Sequence, residues 1–299
     1  MTAPERPGRD ELAKALDDAG LDPAEVEYVV RRALEEDLAH GPDVTTEATV
    51  PAGARATGDV VPRSAGIVAG VPVAAAVFDL VGGPDVDVVL RAPDGSRTEP
   101  GTAVLTVTGP TRALLTAERT ALNLIGHLSG IATLTGRWVE AVRGTRAAVR
   151  DTRKTLPGLR ALEKYAVRCG GGVNHRMALG DAALVKDNHV AAAGGITAAV
   201  GLVRASAPDI PLEVECDTLD QLREAISAGV TLVLLDNFGL EDTRTAVALV
   251  RGTDVRLEAS GGLSLERARE VAATGVDYLA VGALTHSAPV LDLGFDLRS

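Results

Sequence analysis

Apolar and polar positions change their period along this chain, and the changes mark its parts. From Asp22 the spacing is helical. Asp22-Pro23-Ala24-Glu25 supplies an N-cap, a proline at the first helical position and an acid three residues after the cap, which predicts a helix to about Leu38. Gly41-Pro42-Asp43-Val44-Thr45-Thr46 reads as a turn followed by small polar residues. Short β-like runs follow at 57–61, 86–90 and 103–108, with turns at Pro93-Asp94-Gly95 and Glu99-Pro100-Gly101 and a helical interruption at 71–81. Residues 114–144 have helical periodicity over one long helix or two consecutive ones. The first nine residues, rich in Pro, Arg and Gly, are predicted to be disordered.

Beyond residue 144 the pattern becomes a repeating strand-then-helix rhythm. Apolar runs at 147–151, 183–187, 212–216, 231–236, 255–258 and 277–281 alternate with helical patterns at 219–228, 242–250 and 265–273. Buried parallel strands joined by helices produce that rhythm. An open doubly wound sheet and a closed barrel share it, and the strand ends decide between them. Each run finishes in Asp151, Lys186-Asp187, Glu215, Asp236-Asn237, Glu258 followed by Ser260-Gly261-Gly262, or Gly282. In a parallel barrel all carboxyl ends converge on one mouth, where chemistry sits. Six runs are fewer than the eight of a complete barrel. The fold class expected is therefore α/β: an incomplete (β/α) barrel over 115–285, preceded by an α+β open sandwich domain over 1–114, to which the tail 286–299 returns.

Composition narrows the function. Hydrophobic residues make up 46% of the 299 residues and aromatic ones 2%, so the core must be built from Ala, Val and Leu. A net charge of −11 argues against nucleic acid and against an anionic membrane surface. The most apolar window, 64–78, is broken by Gly66, Gly70 and Pro72 and is shorter than the about 20 residues that span a bilayer. Two cysteines, Cys169 and Cys216, imply no disulfide framework, and residues 1–20 lack the apolar run of a signal peptide, so a cytoplasmic location is expected.

Against that acidic background, residues 150–186 carry eight Lys or Arg and three acids, a local balance of +5. Three of the four lysines in the chain fall there. Arg160, Glu163, Lys164 and Arg168 are spaced like one exposed helical stripe. Arg153-Lys154, Asn174-His175-Arg176 and Lys186 lie instead beside strand ends or glycines and read as an anion-binding wall, because arginine pairs carboxylates and phosphates bidentately and lysine supplies a compact charge. Lys186 alone has three readings: a Schiff-base nucleophile, an anion clamp, or a structural partner of Asp187 or Glu215. Glu215 and Asp236 could hold Mg²⁺ and sugar hydroxyls, though Asp236 could equally cap the next helix. Ser260-Gly261-Gly262 and Gly282 would let backbone N–H groups approach a phosphate. His40, His127 and His286 are isolated and read as structural.

These residues, in this order, resemble a known family. Arg119-Thr120-Ala121-Leu122-Asn123, Asp151-Thr152-Arg153-Lys154-Thr155, Asn174-His175-Arg176, Lys186-Asp187-Asn188-His189, Glu213-Val214-Glu215, Leu235-Asp236-Asn237, Glu258-Ala259-Ser260-Gly261-Gly262 and Val281-Gly282 occur as in quinolinate phosphoribosyltransferases. The resemblance reaches back to Gly41 and covers all but roughly the first 20 residues. It implies that quinolinate and phosphoribosyl pyrophosphate are converted, with Mg²⁺, to nicotinate mononucleotide, pyrophosphate and CO₂ in NAD biosynthesis. It further implies that Arg119, Arg153, His175, Arg176 and Lys186 hold the pyridine dicarboxylate. Lys154, Lys186, Glu215 and Asp236 would serve the donor and its metal, and Ser260, Gly261 and Gly282 its 5′-phosphate. Finally, it implies a homodimer in which Arg119 reaches the neighbouring site. A Schiff-base lyase and a non-enzymatic anion-binding protein remain the competing classes.

Overall fold

The computed structural model describes residues 9–298; of the nine residues expected to be disordered, 1–8 lie outside the described residues and Arg9 instead begins a helix. The chain divides into two compact units, Met1–Leu134 with Leu156–Gly171 and Ser287–Ser299, and Thr135–Thr155 with Gly172–His286. The boundary expected near residue 114 thus falls inside the first unit. A helix that runs unbroken through that position is the reason.

The first unit opens with α1 (Arg9–Asp18) and α2 (Pro23–Asp37), where the Asp22 carboxylate accepts the Ala24 N–H as the cap pattern predicts. The small polar residues after the Gly41-Pro42 turn open a short helix, α3 (Val44–Thr49), because the Asp43 side chain accepts the Thr46 N–H and closes its first turn. Next come β1 (Arg55–Pro62), β2 (Gly66–Ile67), α4 (Val71–Gly82), β3 (Asp87–Leu90), β4 (Arg97–Thr98), β5 (Leu105–Pro110) and α5 (Thr111–Ala141). Buried Leu114, Ala117, Ala121, Ile125, Leu128 and Ala132 recur at three- and four-residue steps on α5, so one face of it is core. Truncating Ile125 or Leu128 to Ala should cost about 2–5 kcal/mol.

The chain then enters the second unit as β6 (Ala148–Arg150) and returns to the first as α6 (Arg160–Cys169). Here the sequence reading is corrected. Glu163 and Lys164, assigned to an exposed stripe, are both 0% exposed, and only Arg168 of that set is exposed. The Glu163 carboxylate pairs with His127 Nε2 at 2.8 Å and accepts the Leu156 N–H at 3.1 Å. Those partners lie 36 and 7 residues away in sequence, so helical spacing alone does not reveal them.

The remaining elements of the second unit are β7 (Ala183–Val185), α7 (Asp187–Ala193), α8 (Ile196–Ser206), β8 (Leu212–Cys216), α9 (Leu219–Ser227), β9 (Leu232–Asp236), α10 (Leu240–Leu249), β10 (Arg256–Ser260), α11 (Ala268–Ala272), β11 (Tyr278–Ala280) and α12 (Ala283–His286). Six parallel strands pair in the order β6-β11-β10-β9-β8-β7, which leaves β6 and β7 as edges. Each strand is three to five residues long and mostly apolar, as a buried parallel sheet requires, with Glu213 and Glu215 in β8 and Glu258 in β10 as the exceptions. This is the open-edged α/β sheet that six runs implied.

The tail supplies β12 (Leu293–Arg298), which pairs antiparallel with β1 and completes the order β12-β1-β5-β3 in the first unit. Its approach crosses α5 closely: a Cβ on Gly130 would stand 2.2 Å from the Pro289 carbonyl oxygen, and Leu291 donates its N–H to the Gly126 carbonyl. Glycine at 130 therefore lets the tail lie against the helix.

Candidate functional site

The carboxyl ends of the parallel strands collect most of the expected site residues. After β6, the Lys154 N–H bonds to Thr152 Oγ1 at 3.0 Å and the Lys154 carbonyl accepts Thr285 Oγ1 at 2.8 Å. Its side chain passes over Gly282, where an added Cβ would meet Lys154 Cδ at 2.9 Å. Lys154 and Gly282, 128 residues apart in number, are thereby brought together by adjacent strands β6 and β11.

Lys186 follows β7 and its Nζ pairs with Glu215 Oε2 at 2.5 Å. Glu215 and Asp236 lie on neighbouring strands β8 and β9, so their carboxylates share one end of the sheet. Asp236 does not cap the following helix: the α10 cap is Gly239, with no side-chain bond, and the Asp236 carboxylate takes the Asn237 amide at 2.8 Å. Asn237 itself has φ +56°, and its N–H donates to the Ser260 carbonyl at 2.9 Å. Gly261 follows with φ +84°, and a Cβ there would stand 2.2 Å from Asn237 Oδ1. Only glycine fits that turn. The sequence reading missed Asn237 as a structural partner of Ser260-Gly261, although Asn is the residue most at home with positive φ after glycine.

Asp151 is not a mouth-facing acid, as the strand-end pattern suggested. It is fully buried and accepts Asn174 Nδ2 at 2.6 Å and the His175 N–H at 2.8 Å. It thus anchors the loop that carries His175 and Arg176, which runs beside β6 through the Arg150–Val173 bridge. Arg176 Nη1 donates to the Ala182 carbonyl at 2.8 Å, just before β7, so the loop spans the open side between the edge strands.

Two arginines of this region, Arg153 and Arg176, lie close enough for their charges to interact. The Nε atoms of Arg153 and Arg176 are both buried and have no hydrogen-bond partner among the described residues. Burial holds the Arg176 guanidinium below its ordinary range, the charge of Arg153 lowers it further, and Asp181 and Glu213 oppose the shift. Paired cations with buried unsatisfied donors suit a ligand with carboxylate or phosphate oxygens.

Inside the barrel the pattern is the reverse. Arg150 Nη1 pairs with Glu258 Oε2 at 2.5 Å and its guanidinium lies 4.9 Å from the Tyr278 ring centroid. His175 Nε2 meets Glu213 Oε2 at 2.8 Å. Burial pushes the Glu258 carboxyl up to about 8; the Glu213 charge adds to the shift and Arg150 opposes it. Arg150, Glu213 and Glu258 carry no role in the sequence reading beyond charge and motif, since their partners are far away along the chain. A cavity of about 640 Å³, lined by Arg150, His175, Arg176, Glu213, Arg256 and Tyr278, opens beside them at the amino ends of β8–β11.

For a divalent cation, Glu215 and Asp236 offer the oxygen donors that Mg²⁺ prefers. The three-group cluster compact enough to enclose an ion among the described residues is a different one, His175, Glu213 and Glu258. Arg150 already neutralises it in part, and one of its donors is a ring nitrogen, a poor match for Mg²⁺. Lys186, with a side chain 45% exposed and ion-paired to Glu215, lacks the desolvated pocket that a Schiff-base lysine needs. Arg119 stands apart: it is exposed on α5, in the first unit.

Comparison with known proteins converges on one family. Residues 43–129 match the model of the quinolinate phosphoribosyl transferase N-terminal domain, and residues 131–296 that of the C-terminal domain. A nicotinate-nucleotide pyrophosphorylase [carboxylating] from Mycobacterium leprae is 59% identical over 271 residues, covering 90% of this chain and 95% of that protein. The human protein of the same description is 40% identical over 240 residues, covering 79% and 80%. The solved nicotinate-nucleotide pyrophosphorylase of Francisella tularensis superposes with a TM-score of 0.88 at 38% identity, covering 92% of this chain and 96% of that one.

Proposed function

The chain belongs to the quinolinate phosphoribosyltransferase family, and we propose that it carries out that family's reaction at the carboxyl ends of β6–β11. The reaction joins quinolinate to 5-phosphoribosyl 1-pyrophosphate and yields nicotinate mononucleotide, pyrophosphate and CO₂ in NAD biosynthesis. The observation that carries the site assignment is the Arg153–Arg176 pair, two mutually repelling cations with buried, unsatisfied Nε donors. A pyridine dicarboxylate supplies the two anionic groups that such a pair lacks. Lys186 adds a third charge from the adjacent strand end, and Arg119 a fourth from the partner of a homodimer.

Ser260, Gly261 and Gly282 accept the 5′-phosphate of the donor, because small residues at those turns leave backbone N–H groups approachable. Lys154, whose stem lies on Gly282, is suited to the pyrophosphate. Glu215 and Asp236 are the groups that would hold Mg²⁺, which when bound would neutralise the departing pyrophosphate. Departure of pyrophosphate leaves positive charge on the ribose carbon, and carboxylates at fixed positions stabilise that state electrostatically. Attack by the pyridine nitrogen then makes the ring cationic. The cationic nitrogen stabilises the electron pair left on the adjacent carbon when CO₂ departs, and a proton from solvent then takes the place of the carboxylate, so nucleotide formation precedes decarboxylation. Lys186 and Glu215, as partners at adjacent strand ends, place a cation and an anion side by side for quinolinate and the donor.

No helix among the described residues is long and apolar enough to cross a membrane, and both cysteines are free, which supports a cytoplasmic place. Incubating the enzyme with quinolinate and donor, with and without Mg²⁺, should give nicotinate mononucleotide and CO₂ only when all three are present. Formation of product at a similar rate from nicotinate and donor in place of quinolinate and donor, or a borohydride-trapped adduct at Lys186, would overturn the reading.

A further inference from the structure

Arg176 sits on a loop, and a loop cation selects a planar dicarboxylate only if it is held in place. The two residues that precede it on the loop are each bonded from the barrel side. The Asn174 carbonyl lies 3.4 Å from Arg150 Nε, the Asn174 amide and the His175 N–H both reach Asp151, and the His175 ring reaches Glu213. His175 is the last link. Its Nδ1 accepts the Arg176 N–H at 2.7 Å, which assigns the ring proton to Nε2, and that Nε2–H points to Glu213 Oε2 at 2.8 Å. Both ring nitrogens are turned inward, and the residue is 8% exposed.

We propose that Glu213 and Glu258 are positioning residues for quinolinate binding: closed by Arg150, they form a buried floor that fixes His175, and His175 fixes Arg176. The proposal rests on the assignment of Arg176 to the dicarboxylate. Glu213 and Glu258 are 3% and 0% exposed and stand inside β8 and β10 rather than at their carboxyl ends. Their Oε1 atoms are buried and lack hydrogen-bond partners among the described residues, while their Oε2 atoms are committed to His175 and Arg150. An unpaired buried oxygen is costly, and two on one cluster mark a place where bonding geometry, rather than burial alone, is being maintained. His175 then acts as a rigid strut whose tautomer is set by the glutamate, as outer-shell carboxylates set histidine tautomers elsewhere.

Two measurements test this. In the first, Glu213→Leu removes the acceptor for His175 Nε2–H and Glu213→Gln keeps one. The leucine variant should raise the quinolinate KM at least about tenfold, with kcat and the donor KM within about twofold, and glutamine should recover most of that loss. Equal rises in both KM values, or a glutamine variant as impaired as the leucine one, would overturn the proposal. Arg176→Ala is the control for the underlying assignment: an unchanged quinolinate KM there would defeat the site reading itself, independently of Glu213. The second measurement uses the unmodified enzyme and does not depend on variants folding. Nitrogen-15 spectra of its five histidines should show a neutral Nε2–H tautomer for His175 that persists when quinolinate saturates. An Nδ1–H form, an imidazolium in the complex, or loss of the Nε2 proton to a bound metal ion would each overturn it.

Discussion

Lys164 and Lys186 come from the same cationic stretch and end in opposite surroundings. Lys164 lies on α6 in the first unit, wholly buried, next to a glutamate that is itself wholly buried and bonded to His127 and the Leu156 backbone. Lys186 stands at the end of β7 with its side chain 45% exposed and a single glutamate partner at 2.5 Å. The arginines divide in the same way. Arg150 is locked to Glu258 and stacked on Tyr278, whereas Arg153 and Arg176 repel one another and keep buried donors unsatisfied. Where charge is structural, the fold consumes it internally. Where the proposed site lies, the fold leaves charge underpaired, and a bound anion would supply the missing partners.

The sharpest way to break that comparison is to take away the ligand's half of the pairing. Nicotinate lacks the 2-carboxylate, so it should leave part of the Arg153–Arg176–Lys186 set unsatisfied. A site built to pair a group can reject the analogue lacking it by about 10⁴-fold in kcat/KM. Steady-state rates with the two pyridines decide it, and comparable values would mean that the underpaired arginines are not a dicarboxylate site. Exchanging the lysines sharpens the contrast next. Lys186→Ala should lower kcat/KM by about 10²–10³-fold, with little change in melting temperature because a part-exposed pair is worth about 0–1 kcal/mol. Lys164→Ala should do the reverse. Emptying a wholly buried position leaves a cavity that costs about 2–5 kcal/mol, a drop in melting temperature on the order of 10 °C, while the molecules that remain folded keep their kinetic constants. The opposite assignment of effects would show the scaffold and the site to be interchanged.

Lys164 is also where sequence reasoning failed. Charges at three- and four-residue spacing on an amphipathic helix normally mark a solvated face, and nothing local distinguishes one that is buried by residues brought from elsewhere in the chain. The catalytic strands were legible for the converse reason. Each lies in a short run rich in aliphatic residues that closes on a charge or glycine, and parallel pairing gathers Glu215, Asp236, Ser260 and Gly282 at one end of the sheet. The interior floor was not legible, because Arg150 and Glu258 stand 108 residues apart and each alone looks like one more strand-end charge. The short helix α3 was hidden by its threonines, poor helix formers, although Asp43 supplied a cap that could have revealed it.

Arg119 tests whether a third kind of cation exists, one carried by the first unit yet serving a site on another chain. In a two-fold dimer two such arginines exchange reciprocally. Arg119→Ala and Lys186→Ala should each be inactive alone. Dissociated, mixed equally and reassociated, half the dimers are mixed, and each mixed dimer carries one intact site, so about a quarter of the unmodified activity should return. No recovery would put Arg119 in its own chain's site or among the structural charges.

The smallest effect should come from Glu258, a buried acid inside the catalytic unit that the comparison assigns to structure. Its carboxyl is raised from the ordinary 4.5 to about 8, chiefly by burial and then by Glu213, with Arg150 compensating only in part. Between those two values the folded chain holds a proton that the unfolded chain has released. The stabilising contribution of this group is therefore fully present below pH 4.5 and is lost as pH rises through about 8. Glu258→Gln keeps an oxygen for Arg150 and cannot ionise. The melting temperature of the native enzyme, taken relative to that variant, should fall by a few degrees between pH 5 and pH 9, and then level off. Calorimetry across that range reads the difference directly, so that other carboxylates common to both proteins cancel. A difference that stays flat would mean that Glu258 is ionised throughout. In that case Arg150 outweighs burial, and the floor beneath His175 is an ion pair rather than a proton-bearing one.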